Sequence, residues 1–261
     1  MMNLGLNISP CPNDTFMFDA LVNRRIDCGD MSLTVGYHDI EELNRLAMEG
    51  RPQVTKISAA VFAQVAGRYR LLDSGAALGR GNGPLLVRRS GDTRPIKRIA
   101  VPGMHTTANM LVSRLFPEIG ERHPMLFSEI AQAVERGEYD AGVLIHEGRF
   151  VYGRHNLELV ADLGERWEAQ TGLPLPLGVI VIRRDVPDDV AARFEALLRQ
   201  SIAHAMANPE ASRGYVKSHA QEMDDEVIDK HISLFVNDFS LSLSHSGREA
   251  IGLLTGLPEI Q

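Results

Sequence analysis

Cysteine is scarce in this sequence of 261 residues, which contains only Cys11 and Cys28. Two cysteines close to the N-terminus are too few to frame a secreted disulfide scaffold or a four-ligand zinc site. The scarcity of cysteine therefore indicates a reduced chain, and we expect a cytoplasmic protein.

Long apolar runs are also missing, since no window approaches the ~20 uninterrupted apolar residues that a membrane-spanning helix requires. The opening Met1-Met2-Asn3-Leu4 lacks the basic residues of a signal peptide, and Asn7 soon interrupts the apolar stretch that follows. We therefore expect neither membrane insertion nor export.

Positive charge is low, because 27 Lys and Arg residues stand against 34 Asp and Glu residues, for a formal net charge of -7. The Lys and Arg residues form no sustained run. A nucleic-acid backbone attracts a positive protein surface, so nucleic acid is not an expected partner.

The composition is that of a globular chain, with 44% hydrophobic and 23% charged residues. At roughly 150 residues per domain, the length allows one to two units, so two lobes are expected. Short apolar runs alternate with longer helical patterns, which is typical of repeated βα units and parallel sheets. We predict an α/β protein with strands at 4–8, 33–35, 54–58, 99–101, 125–127 and 141–145. Helices are predicted at 16–22, 39–48, 59–65, 107–116, 129–136 and 188–207.

Two similar strands enclose the middle of the chain. The apolar runs at 84–89 and 177–184 both end in a pair of arginines, and the block between them has its own strands and helices. An insertion entered and left by paired strands predicts two lobes joined by a two-strand hinge. The first lobe is expected to consist of 1–87 and a mainly helical return segment at 182–261, and the inserted lobe of 88–181.

Small polar residues follow several of the predicted strands. They are Asn13 and Asp14 after the first strand, Ser58 after the third, and Thr106 and Thr107 in the inserted lobe. Ligands of open parallel sheets bind beyond the carboxyl ends of the strands, where such residues and helix N-termini favour an anion. The residues predict a pocket for a small carboxylate, although capping of helices alone would also explain them.

His146 follows the strand at 141–145, a position where an ordinary cap does not need histidine. An imidazole titrates near ~6.5 when unperturbed, so a histidine at the cleft is suited to be a general base. Asn82 lies in the glycine-rich loop 79–84. The glycines of this loop either let a ligand approach the backbone or allow tight turns. Pro84 and a following strand argue against a nucleotide loop, and His146 lacks a partner histidine four residues on, so neither cofactor nor metal is expected.

Several runs resemble the 1,4-dihydroxy-6-naphthoate synthases of the futalosine route to menaquinone. The most specific is Ser-Pro-Cys-Pro-Asn-Asp-Thr-Phe-Met-Phe at 9–18. The others are Lys-Ile-Ser at 56–58, Gly-Asn-Gly-Pro-Leu at 81–85, the segment 102–109 with its Thr-Thr pair, and Gly-Val-Leu-Ile-His-Glu at 142–147. This family uses a periplasmic-binding-protein-like fold of type II as an enzyme, so the resemblance implies that fold here.

The resemblance also implies a reaction. A carbon-carbon lyase without a redox cofactor would cleave the sugar portion from cyclic dehypoxanthinyl futalosine, with His146 as the base that removes a proton. The substrate site implied by the matching runs and by the strand-end positions contains Lys56, Ile57, Ser58, Thr106, Thr107, Asn13, Asp14 and Asn82.

Two other functions stay open. Chorismate dehydratase of the same pathway shares the architecture, although the runs at 9–15 and 145–147 favour the naphthoate synthase. A non-catalytic protein that binds a small carboxylate would share the fold but is expected to carry an export signal or a lipid anchor. The sequence predicts a small-molecule carboxylate as the partner and says nothing about oligomeric state.

Overall fold

The structure is a computed structural model of the chain, and it describes residues 2–146, 148–220, 224–257 and 260. Within them, the strands are β1 (Met2–Ile8), β2 (Met31–Tyr37), β3 (Val54–Ser58), β4 (Tyr69–Leu71), β5 (Ala77–Gly79), β6 (Leu85–Arg89), β7 (Arg98–Val101), β8 (Glu121–Pro124), β9 (Ala141–Leu144), β10 (Leu157–Asp162) and β11 (Leu175–Arg183). The helices are α1 (Pro12–Val22), α2 (Ile40–Met48), α3 (Phe62–Val65), α4 (Thr107–Leu115), α5 (Ile130–Glu135), α6 (Gly148–Val151), α7 (Leu163–Thr171), α8 (Asp188–Ala207), α9 (Pro209–His219), α10 (Asp225–Phe235), α11 (Asp238–Leu241) and α12 (Ser244–Thr255). Among the helices of the described ranges, none joins the length and the apolar character needed to cross a membrane.

The strands form two separate sheets. The first has the order β2-β1-β3-β11-β4, with β5 also paired to β11, and the second has the order β10-β6-β9-β7-β8. Each sheet with its helices is an α/β lobe, as the alternating pattern predicts.

Both sheets are mixed, so the expectation of parallel sheets is only partly correct. β1 runs parallel to β2 and β3, and β7 runs parallel to β8 and β9. The antiparallel strands are those at which the chain passes between lobes: β11 pairs antiparallel with β3, and β6 with β9. A strand that enters its sheet from the other lobe starts at the edge where the parallel strands end, so it runs in the opposite direction.

The two predicted lobes are present and the chain crosses between them twice, but the two strands that follow these crossings are not paired with each other. β6 belongs to the second sheet and β11 to the first, so the similar runs at 84–89 and 177–184 do not pair with each other. The predicted lobe boundaries shift accordingly, with 85–87 in the second lobe and 175–181 in the first. Similar apolar strands ending in arginine do not specify their partners, because pairing depends on the fold and not on the composition of one strand.

The chain passes between the lobes at 80–84 and again around α7. At this crossing the two segments contact each other, since the backbone N–H of Leu163 donates to the carbonyl of Pro84 at 2.9 Å. A Cβ atom placed on Gly83 would lie 2.2 Å from the nitrogen of Gly164. The segments approach so closely only because both positions are glycine.

The predicted ends of individual helices and strands agree with the structure in some cases and differ in others. Asp39 caps α2 by accepting hydrogen bonds from the backbone N–H groups of Glu41 and Glu42, as a helix from 39 predicts. Helix α1 begins at Pro12, four residues before the predicted start at 16, with Cys11 at its N-cap. The strand predicted at 125–127 is also wrong, because β8 ends at Pro124 and a 3₁₀ turn covers Phe127–Glu129.

One hydrophobic core extends through both lobes. Ile57 and Val179 of the first sheet belong to the same buried cluster as Val101 and Val143 of the second. Ile251 of α12, in the C-terminal segment, belongs to the same cluster. The lobes are therefore packed together on one side, which leaves a cleft on the side where β3, β7 and β9 end.

Candidate active site

A cavity that opens to solvent lies between the lobes at the carboxyl ends of these strands. Apolar groups form part of its wall, among them Ile40, Leu177 and Phe235. Most of the residues predicted from the sequence also line it, namely Asn13, Lys56, Ser58, Asn82, Thr106, Thr107 and His146.

Two predicted residues do not line the cavity. Ile57 is fully buried in the core shared by the lobes, because alternate residues of a strand point to opposite faces and Lys56 and Ser58 face the cavity. This corrects the prediction of Ile57 as a substrate-binding side chain. Asp14 is also completely buried, and it lies beneath the cavity wall rather than on it.

Asp14 is the centre of a buried polar network. Its carboxylate forms an ion pair with the ammonium group of Lys56 and accepts a hydrogen bond from the hydroxyl of Ser9 at 2.6 Å. The side-chain amide of Asn13 donates to the same carboxylate at 2.9 Å. Buried charges are tolerated when they are paired and hydrogen-bonded in this way.

Ser58 is held by a side chain of α2. The amide of Asn44 donates to the Ser58 hydroxyl at 2.9 Å and accepts from the Ser58 backbone N–H at 2.8 Å. Asn44 is completely buried and also donates to the carbonyl of His105 in the second lobe at 3.3 Å. It is a site residue that the sequence analysis did not identify.

The hydroxyls of Thr106 and Thr107 are engaged within the protein. Thr106 caps α4, since its hydroxyl accepts from the backbone N–H of Asn109 at 3.2 Å. The Thr107 hydroxyl donates to the carbonyl of Leu177 at 3.0 Å and accepts from the N–H of Ala60 at 3.3 Å, both in the first lobe. The start of α4 therefore faces the cavity with its helix N-terminus, which favours a negatively charged group.

Asn82 lines the cavity at the crossing between the lobes. Its side-chain N–H donates to the carbonyl of Gly79, and its side-chain oxygen accepts from the backbone N–H of Gly79, both at 3.2 Å. The amide thus fixes the loop 79–82.

His146 lies two residues after the end of β9 and has a left-handed backbone with φ of +52°. The residue is half-buried and lines the cavity. Within the described residues, its ring contacts are an edge contact with Phe127 at a centroid distance of 5.1 Å and a stack on His231 at 5.7 Å. Glu147, the next residue of the predicted run, lies outside the described residues.

The surroundings of His146 lower its pKa to about 4. The main cause is desolvation of the imidazolium by the surrounding protein, and the second is the positive charge of Lys56. The carboxylate of Asp14 acts in the opposite direction and offsets part of the shift. His146 is therefore neutral at physiological pH, as a proton acceptor must be.

His231 of α10 is a further residue that the sequence analysis missed. It is completely buried, and its Nε2 atom lies 3.0 Å from the Oδ1 atom of Asn13. Burial holds the pKa of His231 well below its usual value. The signal in the sequence is its spacing, since the buried positions of α10 are Val227, Ile228, His231 and Phe235, which share one helix face.

In the ranges that the structure describes, no three His, Cys, Asp or Glu side chains are grouped in a way that would hold a metal ion.

The chain is similar to known proteins both in sequence and in structure. A family model described as menaquinone biosynthesis matches residues 4–258. A 1,4-dihydroxy-6-naphthoate synthase from Thermus thermophilus is 46% identical over 256 residues, covering 97% of this chain and 93% of that protein. The synthase of the same name from Streptomyces coelicolor is 45% identical over 260 residues, covering 97% and 92%.

The structural comparison agrees with the two-lobed architecture. A crystal structure of a protein from Archaeoglobus fulgidus has a TM-score of 0.92 at 37% identity, covering 97% of this chain and 95% of that one. A Candida albicans protein described as having the generic periplasmic binding protein fold has a TM-score of 0.74 at 13% identity, covering 100% and 92%. The periplasmic-binding-protein-like fold expected from the resemblance is thereby confirmed.

Proposed function

Because this chain belongs to the menaquinone biosynthesis family whose model it matches along almost its full length, we propose that it is a 1,4-dihydroxy-6-naphthoate synthase with His146 as its general base. The curated relatives support the activity, since both are synthases of that name. The observation that supports the role of His146 is its place on the wall of the interlobe cavity, across from Lys56, Ser58 and Asn13.

The cavity suits a substrate with an aromatic portion, a carboxylate and hydroxyl groups. Its apolar wall, formed by Ile40, Leu177 and Phe235, matches an aromatic ring. The N-terminus of α4 favours the carboxylate by about 0.3–2 kcal/mol, depending on its exposure. We therefore place cyclic dehypoxanthinyl futalosine in this cavity, as a small-molecule carboxylate substrate.

The proposed reaction begins with proton transfer. The neutral ring of His146 takes a proton from the sugar portion, and the electron pair left behind forms a new double bond in that portion. The carbon-carbon bond to the aromatic portion breaks at the same time, and its electron pair passes to the aromatic portion as the leaving fragment. The imidazolium then returns the proton to the leaving fragment, so that no electrons are gained or lost overall. A positioned base of this kind contributes roughly a hundred- to ten-thousand-fold to the rate.

The charges near His146 fit this sequence of steps. Desolvation and the positive charge of Lys56 both oppose the charge that forms on the ring and together outweigh Asp14, which favours it, so the imidazolium is a strong acid in its surroundings. A strong acid gives its proton back readily, which promotes the second half of the reaction. Cys11 and Cys28 are both buried and form no disulfide with each other, in keeping with a proposed cytoplasmic location.

The experiment that tests the function is an incubation of the purified protein with cyclic dehypoxanthinyl futalosine, followed by mass detection of 1,4-dihydroxy-6-naphthoate. We expect product to form in proportion to enzyme and time, and the His146→Ala variant serves as the matched control. A parallel incubation with chorismate tests the alternative activity. Dehydration of chorismate would identify the protein as a chorismate dehydratase. Tight binding of the cyclic substrate without any product would instead identify a non-catalytic binding protein.

A further inference from the structure

The stacked rings of His146 and His231 come from different lobes. His146 follows β9 of the second lobe, whereas α10 packs on the first lobe through its contacts with α1 and β5. The two ring planes differ by only 7° at a centroid distance of 5.7 Å. The stack is thus a contact across the cleft, made by the ring that the proposed function assigns as the base.

Neighbouring rings extend this contact on both sides. Phe127 lies against His146 in the second lobe, and Phe235 lies 4.7 Å from His231 in the first. In Ser-His-Asp triads a carboxylate orients the histidine. Within the described residues, the ring of His146 is instead oriented by two other rings.

His231 also acts on the cavity through Asn13. The Asn13 amide donates its N–H to Asp14, so its Oδ1 atom faces His231 as an acceptor. The Nε2 atom of His231 must then carry the proton, which fixes the neutral ring in one tautomer. Asn13 lines the cavity, so His231 controls the orientation of a group that faces the substrate.

We propose that His231 is a positioning residue for the proposed reaction, with its ring holding the imidazole of His146 across the cleft and its Nε2–H holding the side chain of Asn13. The inference rests on the proposed function, because it assigns these two roles relative to the base and the substrate. His231 is completely buried and does not line the cavity, so it acts through these neighbours and not on the substrate itself.

The charges around His231 support this role. Among the described residues, the titratable groups that act on it include His146 from the second lobe and Lys56 from β3, and Asp14 of α1 is linked to it through Asn13. Burial is the main cause of the lowered pKa of His231, and the positive charge of Lys56 and any charge that His146 gains lower it further. A neutral His231 adds no repulsion when its stacked neighbour gains a proton.

Two variants separate the two contacts. His231→Gln keeps an N–H donor near the position of Nε2 but removes the ring, whereas His231→Phe keeps a ring but removes the donor. We expect His231→Gln to lower kcat about tenfold with KM changed less than threefold, because only the base loses its support. It also admits water, so the acid limb of kcat/KM moves upward from pH 4. We expect His231→Phe to raise KM about tenfold with kcat changed less than threefold, because Asn13 loses its partner.

The control is His245→Gln, a change of an exposed histidine on α12, which should leave both constants unaltered. All rates are expressed per folded molecule, with the folded fraction taken from circular dichroism. Wild-type kcat and KM in either His231 variant would overturn the proposal, and so would an equal loss of both constants in the two variants.

A measurement on the unchanged protein covers the case in which the variants do not fold. In protein labelled with ¹⁵N-histidine, we expect the ring of His231, identified by its contact with Phe235, to stay neutral with its proton on Nε2 from pH 8 to pH 5. A proton on Nδ1, or protonation of this ring above pH 6, would refute the assignment. The tautomer is independent of turnover, so a protein that fails to convert the cyclic substrate refutes the proposed function and leaves this test of His231 intact.

Discussion

The carboxylate of Glu41 lies 2.6 Å from the Nδ1 atom of His105 and joins the two lobes. Glu41 belongs to α2 of the first lobe, and His105 belongs to the loop that leads into α4 of the second. The same carboxylate accepts hydrogen bonds from the backbone N–H groups of Met104 and His105, each at 3.1 Å. Glu41 therefore holds the loop that carries Thr106 and Thr107 against the cavity.

We predict that Glu41→Ala raises KM for the cyclic substrate about tenfold, equivalent to about 1.4 kcal/mol. The reason is that the start of α4 loses its attachment to the first lobe, while His146 keeps its surroundings, so kcat should change less than threefold. Steady-state kinetics measure both constants. The matched control is Glu42→Ala on the same helix, whose carboxylate pairs with Arg45 at the surface. A KM equal to that of this control would refute the role of Glu41.

The second prediction concerns the base itself. We expect His146→Ala to lower kcat by roughly a hundred- to ten-thousand-fold, the contribution typical of a positioned general base. Substrate binding should persist, because the groups that face His146 across the cavity remain in place. Calorimetric titration measures the affinity and a steady-state assay measures turnover. Turnover close to that of the wild type would exclude His146 from the mechanism.

The third prediction is the pH dependence of kcat/KM. The pKa of His146 is lowered to about 4, so the ring is neutral, and able to accept a proton, at every pH well above that value. The rate constant should therefore be level from pH 8 to about pH 5 and fall as the pH drops through 4. A histidine of ordinary pKa would lose activity from ~6.5 downward. An acid limb centred near pH 6.5 would show that the cleft does not desolvate the ring.

How much of this site was predictable depends on how local its determinants are. The strand before His146, the cap of α2 at Asp39 and the start of α4 at Thr106 are set by a few consecutive residues, and the expected elements are present. Such features depend on hydrogen bonds within one turn or on apolar patterning within one strand, both of which are visible in a short stretch of sequence.

Contacts between distant parts of the chain were not predictable in the same way. His231 is separated from Asn13 by 218 positions, and only the packing of α10 on the first lobe brings them together. The partners of β6 and β11 were misjudged for the same reason, because their pairing depends on where the chain crosses between lobes. Ile57 was misjudged because matching a three-residue run ignores the alternation of side chains along a strand.

The fourth prediction concerns the buried pair of Lys56 and Asp14. Removing one partner of a buried ion pair leaves an uncompensated charge and typically costs about 3–5 kcal/mol of stability. We expect that cost for Lys56→Met and for Asp14→Asn, measured as the free energy of unfolding in urea.

The two variants should shift the acid limb of kcat/KM in opposite directions. Lys56 lowers the pKa of His146 and Asp14 raises it. The limb should therefore move above pH 4 in Lys56→Met and below it in Asp14→Asn. A common direction of shift would mean that general loosening of the cleft, and not the charge of the pair, controls the base.

The last prediction concerns the crossing between the lobes. A Cβ atom at Gly83 would lie 2.2 Å from the backbone nitrogen of Gly164, and one at Gly164 would lie 2.7 Å from the Cα atom of Gly83. Backbone atoms cannot move aside as a flexible side chain can, so the segments must separate. We expect Gly83→Ala and Gly164→Ala each to lower the free energy of unfolding by about 1–3 kcal/mol, the usual cost of overpacking.

The control for the crossing is Gly120→Ala, because a Cβ atom there meets no other atom within 4 Å. It should leave both the free energy of unfolding and the kinetics within error of the wild type. Separation of the crossing segments also changes the angle between the lobes, so the two variants at the crossing should raise KM as well. If Gly83→Ala and Gly164→Ala had the same unfolding free energy as Gly120→Ala, the crossing segments would be able to separate at little cost. The close approach of Gly83 and Gly164 would then not set the geometry of the cleft.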